Sequence, residues 1–395
     1  MSVTRPEPRP ALVICTLGVF QILAWGSSFY LLGVLAPAIT ADTGWPPALV
    51  VSGLSLALLA AGIVSPKVGR TIQQHGGRPV LATSSVLLAG GLIAVGLATT
   101  PWIYLIAWLL IGLGMGTGLY DPAFATLGRQ YGQSARRMIT AVTLFGGFAS
   151  TICWPISAFL LEKAGWRSTC FAYAAAHLSI GLPAYWFLMP KSVPSLAGIA
   201  NSSEAASREL PADRQTVAFW LLGTILTVGA AILSLVAMHL LVLLQERGLG
   251  LGMAVALGAL VGPSQVAARV VELLAGRRFH PVWTMLVGVV LLALGITLLW
   301  LEFPIIALAL IAYGAGNGIS SIVRGTVPLA LFGPGNYAIL MGRLGLPILL
   351  AMAAAPILGT VLIDAGGAAL AFAVLAGMSL ANILLVAALI RWSLR

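Results

Sequence analysis

The chain has 395 residues, 59% of them hydrophobic and 8% charged, and a formal net charge of +10. Soluble globular chains hold roughly 25% charged residues, so water is excluded as the main solvent of this fold, and apolar runs along the whole length exclude a soluble domain with one anchor. The basic residues are scattered among short loops, which excludes nucleic acid as the partner their charge would otherwise suggest.

In chain order, the apolar runs predict helices over residues 11–39, 47–69, 79–99, 102–129, 138–161 and 168–189. A second set follows over 216–245, 252–275, 281–301, 303–331, 337–363 and 367–391. The first run follows a basic head with Arg5 and Arg9 but is too long for a signal-peptide core, so it reads as a spanning helix. Every run exceeds the roughly 20 residues needed to cross hydrocarbon. An all-α membrane protein is expected, with twelve transmembrane helices in two pseudo-symmetric six-helix bundles. The polar stretch 191–215 lacks apolar periodicity and reads as a linker between an N-terminal bundle, 1–190, and a C-terminal bundle, 216–395.

With the N-terminus inside, fifteen of the 21 Lys and Arg fall on the inner side. Only Lys163, Arg167 and Arg247 fall outside, and Arg269, Arg324 and Arg343 lie within spans. The positive-inside rule then puts both termini and the linker in the cytoplasm of a multi-pass inner-membrane protein. Cys15, Cys153 and Cys170 lie in apolar runs with no CxxC or His-rich neighbours and read as small core residues. No cofactor or metal is expected.

Gly112, Gly114, Gly116 and Gly118 alternate in the fourth span, as Gly314, Gly316 and Gly318 do in the tenth, an offset of 202 residues from Gly112 to Gly314. Pro155 with Ala164-Gly165 and Pro356 with Ala365-Gly366 repeat at an offset of 201 residues. A duplicated six-helix unit explains both matches, and six crossings per unit make the halves parallel. A phosphate loop would need a preceding strand and a following Lys-Ser/Thr, which are missing here. Glycines four apart instead let helices approach closely in lipid. Pro122, Pro155, Pro328, Pro347 and Pro356 lie in or near spans, where proline bends helices.

The segment Gly69 to Arg78, GRTIQQHGGR, lies between the second and third spans. It resembles the loop signature of the major facilitator superfamily, Gly-x-x-x-Asp-Arg-x-Gly-Arg-Arg: Gly69, Gly76 and Arg78 match, Gln73 and Gln74 replace the acid and base, and Gly77 replaces an Arg. Thr43-Gly44-Trp45, and Gln265-Val-Ala-Ala-Arg269 in the eighth span, resemble the branch of monocarboxylate transporters and oxalate/formate antiporters. The resemblance implies a secondary transporter in which the loop of Gly69, Gln73, Gly76 and Arg78 supports conformational change. Arg269 would bind a substrate carboxylate, while Gln265, standing for the branch's acid, cannot titrate. The antiporter signature of drug exporters is poorly met around Trp154-Pro155.

Charged groups inside spans are costly and mark sites or partners. Adding the repeat offset to Asp121 brings it beside Arg324, and the resemblance places both on cavity-lining helices. They are candidates for a gate or binding pair, with Asp121 also a candidate for proton coupling; a permanent interhelical bridge, or pairing of Asp121 with Arg129 or Arg343, is the structural alternative. For Arg269 the alternatives to an anion anchor are snorkelling and pairing with Glu272. His239 is a second proton-coupling candidate or a helix–helix hydrogen-bond donor. Asn317 and Tyr120 are candidate solute contacts, and Trp25 and Tyr30 either face the cavity or pack.

The expected function is transport of a small organic or inorganic anion by alternating access, driven by a proton or counter-solute gradient, by a monomer in the lipid bilayer. An exporter of an amphipathic drug or metabolite is the alternative within transport. An intramembrane hydrolase is disfavoured because His75, His177, His239 and His280 are dispersed and no HExxH or GxSxG occurs.

Overall fold

The computed structural model describes residues 10–191 and 212–393, so the basic head at Arg5 and Arg9 and nearly all of the expected linker lie outside the described residues. α1 (Pro10–Gly26) and α2 (Leu32–Thr43) together form the first crossing, which is broken where one helix was expected. The sequence Gly26-Ser27-Ser28 explains the break. Ser28 Oγ donates to the Ala24 carbonyl at 2.5 Å and Ser27 Oγ lies 2.8 Å from His177 Nε2, which draws both hydroxyls into local bonding that bends helices. The Tyr30 amide then reaches five residues back to the Trp25 carbonyl, at 3.0 Å. α3 (Pro47–His75) and α4 (Gly77–Gly96) hinge at Gly76, whose φ of +86° suits a residue without Cβ.

The fourth crossing is split at Leu119 into α5 (Pro101–Gly118) and α6 (Tyr120–Tyr131). Pro122 has no amide for the Gly118 carbonyl four residues back, and its ring crowds that oxygen. The freed carbonyl accepts Gln21 Nε2 of α1 at 2.8 Å, so another crossing replaces the lost bond. α7 (Ala135–Gly146) and α8 (Ala149–Ala176) complete the fifth crossing and turn at Gly165 into the sixth. A π-helical turn at His177–Gly181 then leads to α9 (Leu182–Leu188).

α10 (Ala212–Gln245) is one unbroken helix that begins inside the expected linker. The eighth crossing divides into α11 (Leu251–Gly258) and α12 (Val261–Ala275), because Pro263 has no amide for the Ala259 carbonyl. α13 (Pro281–Trp300) and α14 (Ile306–Phe332) are continuous, and α15 (Tyr337–Ser393) folds back at Gly366–Gly367 to supply the last two crossings. Among the described residues, eight helical stretches are long and apolar enough to cross a membrane; those over 101–188 and 337–393 each hold more than one crossing, and the shorter α1 and α2 supply the first.

The alternating glycines serve two helix faces at once. In α5, Gly112 and Gly116 bring the backbone against Ala57 and Ala61 of α3, while Gly114 and Gly118 face Leu88 and Ser84 of α4. In α14, Gly314 and Gly318 bring the backbone against Val261 and Gln265 of α12, while Gly316 faces Gly288 and Leu292 of α13. The tenth crossing thus packs on the eighth and ninth as the fourth packs on the second and third. A Cβ would meet neighbouring backbone at each of these positions but Gly118, where it would meet the Ser84 side chain, so the short side chains set the helix spacing.

The connections at Gly76, Gly132 and Gly333 share one end of the bundle, called here the Gly76 end. Residues 10–188 meet residues 212–393 closely at this end. Gly69 of α3 lies against the Ala338 carbonyl and Gly342 of α15. Gln73 Nε2 donates to the Gly335 carbonyl at 2.9 Å, and Arg129 Nε donates to the Gln73 carbonyl at 3.0 Å. Tyr337 is fully buried, packs over Gly128 and donates to the Gly325 carbonyl at 2.7 Å. Arg136 Nη2 donates to the Gly276 carbonyl at 2.7 Å and stands 3.7 Å from Glu272. Arg78, by contrast, stays within its own half, its guanidinium 4.9 Å from the centre of the Trp186 ring.

Candidate functional site

A cavity of about 620 Å³ lies between the two sets of crossings. Its lining at the end away from Gly76 includes Trp154, Leu241 and Val255, which are 48%, 40% and 49% exposed. Toward the Gly76 end it stops at Arg269 and Arg324, below which the contacts just described close the bundle. The chamber is therefore accessible from one end only.

Two arginines are the charged residues among the described lining residues, and they differ in partners. Arg324 of α14 meets Asp121 of α6 in a bidentate pair, Nε to Oδ1 at 2.7 Å and Nη2 to Oδ2 at 2.5 Å. The two side chains retain 16% and 10% of their exposure. Asp121 sits in the first turn of α6, where the helix dipole favours a carboxylate. The break that Pro122 imposes creates that first turn in mid-crossing. Asp121 pairs with Arg324 rather than with Arg129, which donates to Gln73, or with Arg343, which is exposed.

Arg269 of α12 is 4% exposed, and among the described residues no carboxylate lies within 4.0 Å of its nitrogens. Nε donates to the Gly318 carbonyl at 3.2 Å, Nη1 to the Thr143 carbonyl at 2.8 Å and Nη2 to Ser321 Oγ at 3.0 Å. Those bonds use three of its five N–H groups. The expected alternative pairing with Glu272 does not occur: that carboxylate takes Thr284 Oγ1 at 3.2 Å and faces Arg136. Glu272 lies less than one turn along α12 and points to the sealed Gly76 end instead of the chamber. Burial also rules out snorkelling. A buried guanidinium facing a chamber without a counterion is costly.

Tyr120 and Asn317 line the chamber, and Gln265 faces it one turn before Arg269. The Tyr120 hydroxyl is 3.5 Å from the Thr143 carbonyl, the same oxygen that accepts from Arg269. His239 is outside the lining. Its ring packs under Gly359 of α15, with Nδ1 3.2 Å from the Leu235 carbonyl and Nε2 3.3 Å from Thr360 Oγ1, the helix–helix alternative.

Trp25 and Tyr30, left open between packing and cavity, do both. Trp25 contacts Tyr120, Phe29 and Tyr30 at centroid distances of 5.1, 5.4 and 6.2 Å, and Tyr30 meets Trp154 edge-on at 6.2 Å. All five line the chamber. Phe29 and Trp154 carried no sequence assignment; i, i+4 spacing would put 25 and 29 on one face of the single helix expected over 11–39, but the structure places Phe29 in the break between α1 and α2. The roles of the Thr143 carbonyl and Ser321 could not be read from residue type at all.

The structure superposes on a human organic anion transporter, MFSD10 (TETRAN), with a TM-score of 0.75 at 17% identity, covering 97% of this chain and all of that one. It superposes on the proton:xylose symporter XylE, bound to 6-bromo-6-deoxy-D-glucose, with a TM-score of 0.73 at 14% identity, covering 95% and 94% of the two chains. FucP in its outward conformation gives 0.68 at 15% identity, over 95% and 97%. An uncharacterized 38 kDa protein in the 23S RNA operon of Thermoproteus tenax is 29% identical over 226 residues, 56% of this chain, and the chain spans 57% of that relative's length. Residues 17–278 match the family model of the Major Facilitator Superfamily. With most of its length matched by that model and its helices arranged as in these transporters, the chain belongs to the major facilitator superfamily, a family of multi-pass membrane transporters rather than enzymes.

Proposed function

We propose that this chain is a secondary transporter that carries an organic anion through the bilayer by alternating access. The observation that supports the reading most directly is Arg269, buried on the chamber floor with no carboxylate within 4.0 Å among the described residues. An anion entering the chamber would supply the missing charge, and the guanidinium fork suits a carboxylate. This is the feature most in keeping with the monocarboxylate and oxalate/formate branch, and Tyr120 and Asn317 stand beside it as polar contacts.

The moving bodies are residues 1–190 and 216–395, joined by the 191–215 segment. The excess of basic residues at the Gly76 end supports a cytoplasmic position for that end and for both termini in an inner membrane. The chamber then opens outward. Rocking would break the Asp121–Arg324 pair, the Gln73–Gly335 bond and the Gly69–Gly342 contact together, with Gly76 as a pivot beside them. Asp121 is the titratable group next to the floor, and is therefore the coupling candidate if a proton gradient drives transport. His239 has no path to the chamber in this arrangement, and a counter-solute gradient is the other drive. Each chain encloses a complete chamber, which supports a working monomer.

The test is flux in proteoliposomes holding the full chain, with labelled organic anions, with and without a pH gradient. Arg269→Gln should abolish saturable uptake while the variant keeps its melting temperature within a few degrees. Undiminished uptake by folded Arg269→Gln would overturn the anion reading.

A further inference from the structure

The wall of the chamber is built for something larger than a compact hydrophilic anion. Drug-sized ligands occupy pockets of roughly 300–1,000 Å³, and the chamber of about 620 Å³ falls inside that range. Acetate or sulfate would leave most of it empty or wet. From the floor at Tyr120 to the open end at Trp154, the side formed by the first, fourth and fifth crossings is a run of rings in contact: Tyr120, Trp25, Phe29, Tyr30 and Trp154. Opposite them, α10 presents aliphatic side chains such as Leu226, Leu233 and Leu240.

These rings pack against the core without being used up by it. Trp25, Phe29 and Tyr30 are half-buried, and Trp154 is 48% exposed. The two indole N–H groups are already engaged: Trp25 Nε1 donates to Gln21 Oε1 at 3.1 Å, and Trp154 Nε1 to the Tyr30 carbonyl at 3.2 Å. Apart from the Tyr30 and Tyr120 hydroxyls, the surface left to a ligand is apolar and flat, favouring offset or edge-to-face contact with another ring. The charge on offer is a single one. Arg324 is neutralised by Asp121 in a bidentate pair, so among the described lining residues Arg269 is the uncompensated charge.

We infer that the cargo is an aromatic monocarboxylate, its carboxylate on Arg269 and its ring system against the wall from Trp25 to Trp154. This rests on the anion-transport reading above and narrows it. A dianion would bring a second charge into an apolar chamber with no second free cation among its described lining residues, and a short-chain acid would leave the aromatic wall without a partner.

Equilibrium dialysis or calorimetry on the purified full chain tests it, with naphthalene-2-carboxylate, acetate, sulfate and uncharged naphthalene-2-carboxamide as probes. Naphthalene-2-carboxylate should bind at least tenfold more tightly than the other three. Arg269→Gln should remove that tenfold preference over the amide. Trp154→Leu, at the exposed rim where folding is not at stake, should weaken the aromatic acid at least threefold without changing binding of acetate. If acetate or sulfate binds as tightly as the aromatic acid and depends on Arg269, the aromatic assignment falls and the anion reading stands. If the amide matches the acid and Arg269→Gln changes neither, the anion reading falls and takes the assignment with it. No binding of any probe at millimolar concentration overturns both.

Discussion

Removing either partner of the Asp121–Arg324 pair is expected to open the Gly76 end of the bundle. The pair joins α6 to α14; on the proposed rocking motion it is made only while that end is closed, and opening would let water solvate both groups. Deleting one member of a buried pair leaves the other charge uncompensated, at a cost of about 3–5 kcal/mol. The residual exposures of 16% and 10% argue for the lower figure. About 3 kcal/mol shifts the closed-to-open ratio at this end by roughly 10²-fold. Spin labels at Gln74 and Asn336, both exposed and on opposite halves at this end, report it by pulsed dipolar distance measurement after Cys15, Cys153 and Cys170 are replaced. Asp121→Asn and Arg324→Gln should each move most molecules to a longer distance. Wild-type distances for both folded single variants would refute the gate.

Arg269→Lys keeps the charge but loses the planar fork and its bonds to Gly318, Thr143 and Ser321, so anion affinity measured by dialysis should fall at least tenfold. Gly112→Val would drive side-chain atoms into the Ala57 backbone and should cost about 1–3 kcal/mol, read as a lower melting temperature in detergent, whereas Gly377→Ala, with nothing within 4 Å, should be neutral or slightly stabilising. Gln21→Leu strands the Gly118 carbonyl and should cost about 1–3 kcal/mol. In a double-mutant cycle Pro122→Ala should remove part of that cost by restoring an amide donor. At the other end, the hydrogen bond from Arg167, joined by that from Trp166, holds the Asp42 carboxyl below its usual range. Its folded-state value being depressed, the stabilisation is present above the ordinary carboxylate range and is lost as pH falls through the lowered one; Asp42→Asn should flatten that acid limb in a melting-temperature profile.

The crossings were legible because hydrocarbon imposes a length and an apolarity on every one of them. Their breaks were less so. The prolines were visible in the sequence, yet whether Pro122 bends a helix or splits it depends on a partner for the Gly118 carbonyl, and Gln21 lies 97 residues away. Arg269 and Arg324 were legible as buried charges through their cost in lipid alone. Which of them would be neutralised depended on rotation about each helix. Glu272, close to Arg269 in sequence, points to Arg136 and Thr284, while Asp121, 203 residues from Arg324, completes the pair. The aromatic wall was hardest to read, because a ring that packs and a ring that lines a chamber have the same composition.

The duplication explains why the pair carries opposite signs. Residues at equivalent positions of two parallel halves face one another across the pseudo-symmetry axis, so an identical charge at both places would repel. The glycines of α5 and α14 can remain alike because each acts inside its own half, against α3 and α4 or against α12 and α13. A contact between equivalent positions across the axis must instead diverge into complementary types, as Asp121 and Arg324 have. Arg269 stands apart from this scheme: it reaches across to the Thr143 carbonyl on α7 and, among the described residues, meets no carboxylate. Two of its five N–H groups stay outside these bonds, so on the proposed function an anion would be held on the floor by the same guanidinium that straps the two halves together.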